Sequence, residues 1–241
     1  MRLRGMLWGM VALLVGCSGP AYAEEGIVAV SAGIASCVEN LIQAYAVQGG
    51  KPLTLVREST GTIARQMDQG APYDVLVAAD PEWPQWLAGR GKLKAAAPCA
   101  RGQMVVWVAS GEPPRLEDLG KIVLACPDPE STSHGKLARK FLQDRKLWDA
   151  GKRNGRILVV ANAVQGVMTV KGGTAKAALM PLALALGSKG AYRELPGTEI
   201  PTVAGLGANS TNPNAKAFLA FLRSDGAAPI WRQWGFSVAK P

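Results

Sequence analysis

Glu58-Ser59-Thr60-Gly61-Thr62-Ile63-Ala64-Arg65-Gln66-Met67-Asp68-Gln69-Gly70-Ala71-Pro72-Tyr73-Asp74-Val75-Leu76-Val77-Ala78-Ala79-Asp80 is the stretch that decides the fold. Ser59, Thr60, Gly61 and Thr62 form a hydroxyl- and glycine-rich turn ahead of a helical pattern that begins at about Ile63. Such a turn brings hydroxyls and unpaired backbone N–H groups to the positive end of a helix. Ends of that kind hold anions. Gly70-Ala71-Pro72 stops the helix, and the apolar run Val75 to Ala79 before Asp80 reads as a buried strand, which completes a βαβ unit.

Outward from this unit, short apolar runs alternate with helical stretches. The expected strands are Ile27–Ser31, Leu53–Val56, Val75–Ala79, Met104–Val108, Ile122–Ala125, Ile157–Val160 and Ala177–Met180. The alternation argues for an α/β architecture with largely parallel strands. No fixed-period repeat, heptad or low-complexity tract interrupts it. Pro113-Pro114 and the Pro/Gly-dense stretch Pro196 to Gly207 read as surface connections near interdomain crossings.

The segment Ser59 to Asp80 resembles the molybdate-binding proteins of ABC importers. Their second ligand loop has the form Ser-Ser-(Ser/Gly)-Thr-Leu-Ala-Arg-Gln, then Gly-Ala-Pro-Ala-Asp-(Leu/Val)-Phe-Ile-Ser-Ala-Asp and a Trp three residues on, here Trp83. Weaker echoes follow in the same order: Asp128-Pro129-Glu130 with Gly135 to Lys140, Leu147-Trp148-Asp149, and the closing pair Ala215 to Ser224 and Ile230 to Phe236. The resemblance implies a type II periplasmic binding protein fold, two hinged domains each with a mostly parallel sheet flanked by helices. It places domain I at 27–104 plus 205–241 and domain II at 105–204. It further implies a monomeric receptor that captures a small inorganic oxyanion in the interdomain cleft and delivers it to an ABC permease in the inner membrane, with no cofactor.

The same resemblance implies the contact residues. Gly33 stands where the family has a first-loop Ser, so the N–H survives without the hydroxyl, and Ser31 or Ser36 is the neighbouring hydroxyl available to compensate. In the second loop, Thr60 takes the place of the ligand Ser, flanked by Ser59 and Gly61, and Glu58 is expected to point away or to pair with Arg57. His134, the one histidine, aligns with a small residue whose backbone N–H contacts the anion, and Val164 aligns with a further N–H donor. Pro181 falls where the family places a Tyr hydroxyl. Each lost hydrogen bond to a charged group is worth about 1.5–3 kcal/mol, so weak molybdate binding is expected.

A rival reading keeps the fold and retunes the site to a transition metal or metal complex through His134 with Glu58, Cys37 or Met168. Catalysis is not expected: there is a single histidine, no Gly-x-Ser-x-Gly elbow and no metal-binding His pair. Cys37, Cys99 and Cys126 leave any disulfide pairing open, and Cys37, near the first helix start, is a candidate for a lowered thiol pKa.

Arg2 and Arg4, the apolar run Met6 to Val15 and the small-x-small Ala21-Tyr22-Ala23 form an export leader, expected to be cleaved after Ala23; Leu14 to Cys17 also fits a lipoprotein signal with Cys17 as anchor. Either route puts the protein in the periplasm. The formal charge of +9 falls to about +7 without the two leader arginines, a surplus that suits a solvated basic surface and equally attraction to anions or to a negatively charged membrane face. Lys and Arg are scattered without interleaved aromatics, which gives no nucleic-acid footprint. With 48% apolar residues the chain is long enough to bury a sizeable core.

Overall fold

A computed structural model describes residues 25–238. The leader, with Ala23 and Cys17, lies outside the described residues. Ten strands form two five-stranded sheets. The first is ordered β2-β1-β3-β10-β4, from Leu53–Glu58, Gly26–Ser31, Val75–Ala78, Ile200–Gly207 and Leu93–Gly102. The second is ordered β7-β6-β8-β5-β9, from Ile157–Val160, Leu124–Pro127, Ala177–Pro181, Met104–Val108 and Ala191–Glu194.

Helices cover both faces of each sheet, and this explains why the strands read as unbroken apolar runs. In β1, Val28 and Val30 face one core while Ala29 faces the other. The first of these cores is closed by α1 (Ala35–Val47), α8 (Pro213–Phe221) and α9 (Ala228–Gln233), with Phe218 and Trp231 fully buried. Ile63 and Leu87, from α2 (Thr60–Asp68) and α3 (Glu82–Gly89), close the opposite face. In the second sheet, Met104, Val106 and Val108 of β5 pack under α4 (Ser133–Asp144) and α5 (Trp148–Arg153). Val105 and Trp107 face α6 (Ala163–Lys171) and α7 (Leu182–Ser188).

Both sheets are mixed. The parallel expectation holds for β1, β2 and β3 and for β6, β7 and β8, whereas β10 and β5 run antiparallel to their neighbours. The antiparallel strands are the ones that border the passages between sheets. The chain leaves the first sheet at Gly102 and enters the second at Met104, then returns between Glu194 and Ile200. The two passages are tied together, since the Met104 N–H donates to Thr198 Oγ1, which itself donates to the Leu195 carbonyl.

Several expectations need correction. Ile200–Gly207, inside the stretch read as a surface connection, is the strand between β3 and β4. Residues 200–204 therefore sit in the first sheet. Pro113-Pro114 is a loop after β5, where Arg193 of the same sheet donates to the Pro114 carbonyl, and not a passage between sheets. The strand expected at Ile122–Ala125 is Leu124–Pro127. Edge strands β4 and β9 gave no apolar-run signal: β4 carries Pro98 and shifts register against β10, tolerable only at an edge.

Candidate functional site

The seam between the two sheets is lined by helix N-termini. Helix α2 starts at Thr60, three residues earlier than expected, because Ser59 is its N-cap and accepts the Thr62 N–H at 3.3 Å. Thr132 caps α4 by accepting the Gly135 N–H at 2.9 Å, and Asn162 caps α6 by accepting that of Gln165 at 3.0 Å. Each cap satisfies one of the orphan donors at its helix start.

Four of the expected site residues come together across the seam. Thr60, 1% exposed, lies with its hydroxyl 3.3 Å from Ser133 Oγ of α4. Ser133 also donates to the buried carboxylate of Asp80, which accepts the Trp83 N–H as well. The Gly61 N–H reaches the Ser131 carbonyl at 3.3 Å. Gly33 meets His134 and Pro181: a Cβ there would lie 2.8 Å from Pro181 Cγ and 3.5 Å from His134 Cε1. Gly33 is thus the point at which His134 and Pro181 both approach.

The remaining expected residues play lesser parts. Ser31 is buried at the end of β1, Ser36 is exposed, and Val164 sits on the first turn of α6 with a partly exposed side chain. Glu58 is exposed and Arg57 pairs with Glu39 instead. The metal grouping does not assemble. Met168 is exposed, Cys37 lies in the first core, and no cluster of three or more His, Cys, Asp or Glu suited to a metal occurs among the described residues.

Burial sets the electrostatics. It pushes the His134 imidazole down to about 4, so the ring is neutral at neutral pH, contrary to the imidazolium an anion contact would favour. Burial raises the Asp80 carboxyl, an effect partly offset by the bonds from Ser133 and Trp83. It also raises the Cys37 thiol, which corrects the expectation of a reactive cysteine at a helix end. Around the seam, Lys136 pairs with Glu82 and stands over the Trp83 ring, with Arg65 at 5.6 Å from the same ring. Beside His134 the seam leaves a cavity of about 10 Å³, and a larger one of about 160 Å³ opens beside Asp80, Trp83, Ser133 and Ile200.

Sequence reasoning missed Ser133, Thr202 and Trp234. Ser133 stood next to His134, within reach of a local reading. Thr202 and Trp234 arrive from β10 and the end of α9 and carry no local signal.

A family model described as bacterial extracellular solute-binding protein matches residues 27–237. The chain belongs to that family. This solute-binding protein is 24% identical to the molybdate-binding protein ModA of Rhodobacter capsulatus over 94% of its own length and 93% of the relative's. It is likewise 24% identical to ModA of Escherichia coli, over 96% and 97%. Its fold matches the periplasmic molybdate-binding protein of Azotobacter vinelandii with a TM-score of 0.83 at 22% identity, covering 90% of this chain and all of that one. The shared fold is that of two mixed sheets, each flanked by helices, in this solute-binding protein.

Proposed function

We propose that this protein is the extracytoplasmic receptor of an ABC importer, and that its lobes close on a tetrahedral oxyanion of the molybdate class. The observation that carries the reading is the meeting of Gly33, Thr60, Gly61 and His134, from loops at helix starts, around one seam. Neutral hydroxyl and N–H donors converging at positive helix ends are suited to a desolvated anion. The relatives named for molybdate binding support the same class.

In this reading the two lobes are hinged domains, roughly 27–104 plus the chain from β10 onward and 105 to the end of β9. Binding parts the Ser133–Thr60 and Gly61–Ser131 contacts, admits the anion, and replaces those contacts with bonds to it; closure reports occupancy to the permease. The solute is bound and released unchanged by a monomer held in the periplasm, either free after cleavage at Ala23 or anchored through Cys17.

A thermal-shift panel of protein refolded free of ligand tests the reading. One or more of molybdate, tungstate, sulfate, phosphate and chromate should raise the midpoint, since a ligand selective for the native state stabilises it. A shift with divalent metals and none with any oxyanion would overturn it.

A further inference from the structure

We infer that Thr202, Trp234 and His134 form the hinge-side half of the ligand site, supplying donors in place of the two hydroxyls that Gly33 and Pro181 lack. This inference rests on the oxyanion reading above.

All three line one small cavity beside the hinge. Thr202 is 1% exposed, and its Oγ1 has no hydrogen-bond partner. The Trp234 indole Nε1 is likewise buried and unpartnered. The His134 ring makes no hydrogen bond among the described residues. A buried polar atom left unpaired is costly and calls for an explanation. Two of them around one cavity, beside the His134 ring, have a common one, namely a missing acceptor.

The chemistry of the three groups narrows the occupant. An indole N–H only donates, a neutral imidazole has one N–H to give, and a threonine hydroxyl donates freely. A ligand that satisfies all three at once is acceptor-rich. Apart from Gln103, the rest of the wall is apolar, with Ile34, Leu182 and Phe236. Neutral donors in an apolar wall, with no full positive charge among them, bind an oxyanion by hydrogen bonds alone. In the shut form the cavity is at the lower limit for one water, so the anion is seated only as the lobes part and close again around it.

The position follows from the fold. Thr202 lies two residues beyond the start of β10, where the chain has just returned to the first sheet, and Trp234 ends α9. The Trp234 ring rests on α7, 3.3 Å from where a Cβ at Gly187 would be. Donors placed beside the hinge sense closure directly.

Thr202→Val removes one donor with little change of shape, and Trp234→Phe removes the other together with the outer part of the ring that packs on α7. Calorimetric titration of wild-type and variant proteins with molybdate, tungstate, sulfate, phosphate and chromate should show affinity for the bound oxyanion weakened tenfold or more by each substitution. The thermal midpoint of ligand-free Thr202→Val should stay level or rise, because the unpaired group is gone. The indole ¹H–¹⁵N resonance of Trp234, assigned from its loss in Trp234→Phe, should move downfield on titration. Wild-type affinity in both variants, with an unmoved indole resonance, would overturn the inference while leaving the oxyanion reading intact. Absence of binding of all five oxyanions to the wild-type protein would overturn both.

Discussion

Gly33 and Pro181 face each other across the seam at a separation that leaves no room for a side chain: a Cβ on Gly33 would stand 2.8 Å from Pro181 Cγ. The two positions where hydroxyls were expected are therefore coupled by sterics. Restoring one alone, as Gly33→Ser, should destabilise the shut form by about 1–3 kcal/mol, the usual cost of overpacking. Pro181→Ala in the same chain should recover most of that loss. Urea unfolding of the two single variants and the double variant checks the coupling, and simple additivity would show that the side chains do not meet.

The Ser133 hydroxyl serves a buried carboxylate. Ser133→Ala removes one of the two donors to Asp80 and leaves the other, the Trp83 N–H. The expected loss of stability is about 1–3 kcal/mol. Because the bond favours the charged form, the Asp80 pKa should climb further, which can be followed by carboxyl NMR titration. An unchanged Asp80 titration would mean that the bond does not persist in solution.

His134 makes stability depend on pH with a defined sign. Burial holds the imidazole at about 4 against an ordinary 6.5. Between these values the unfolded chain takes up a proton that the native protein does not. Stability from this residue is therefore complete above about pH 6.5 and falls toward pH 4 at about 1.4 kcal/mol per unit. Asp80 acts in the opposite sense, since its raised pKa gives stability that is lost as pH rises through its folded value. Urea midpoints from pH 4 to 8 for wild type and His134→Gln isolate the histidine, and the variant should lack the fall between 6.5 and 4.

The three cysteines should be inert in the native protein. Burial pushes Cys99 and Cys126 up to about 12 and Cys37 higher still. All three are free thiols in this structure. Cys37 and Cys99 share the core of the first sheet, while Cys126 lies in that of the second. Iodoacetamide at pH 8 should label none of them over minutes and all of them in urea, as counted by intact mass. Rapid labelling of one thiol in native protein would show local opening of the core that contains it.

Local chemistry made much of this molecule legible in the sequence. The segment Glu58 to Asp80 forms strand end, capped helix and buried strand because hydroxyl caps, helical spacing and a β-branched run each act within a few residues. Apolar runs located seven strands, all of them buried at least in part. Where backbone conformation depends on distant partners, the same reading failed. Ile200–Gly207 contains Pro201, Gly205 and Gly207, which locally signal a loop. It is a strand because β3 and β4 flank it, and its glycines permit close packing: a Cβ on Gly207 would stand 2.3 Å from the Tyr73 carbonyl.

The site divides the same way. Sequence alone determined that the chain is α/β with helix starts rich in hydroxyls and N–H groups, because capping and periodicity are written in neighbouring residues. Tertiary structure alone decided that Gly33 meets His134 and Pro181, that Ser133 bridges Thr60 and Asp80, and that Thr202 and Trp234 share a cavity with His134. These residues come from elements far apart in the chain, and only the closing of one sheet's lobe against the other fixes their separations and strips the water that sets the charge of His134.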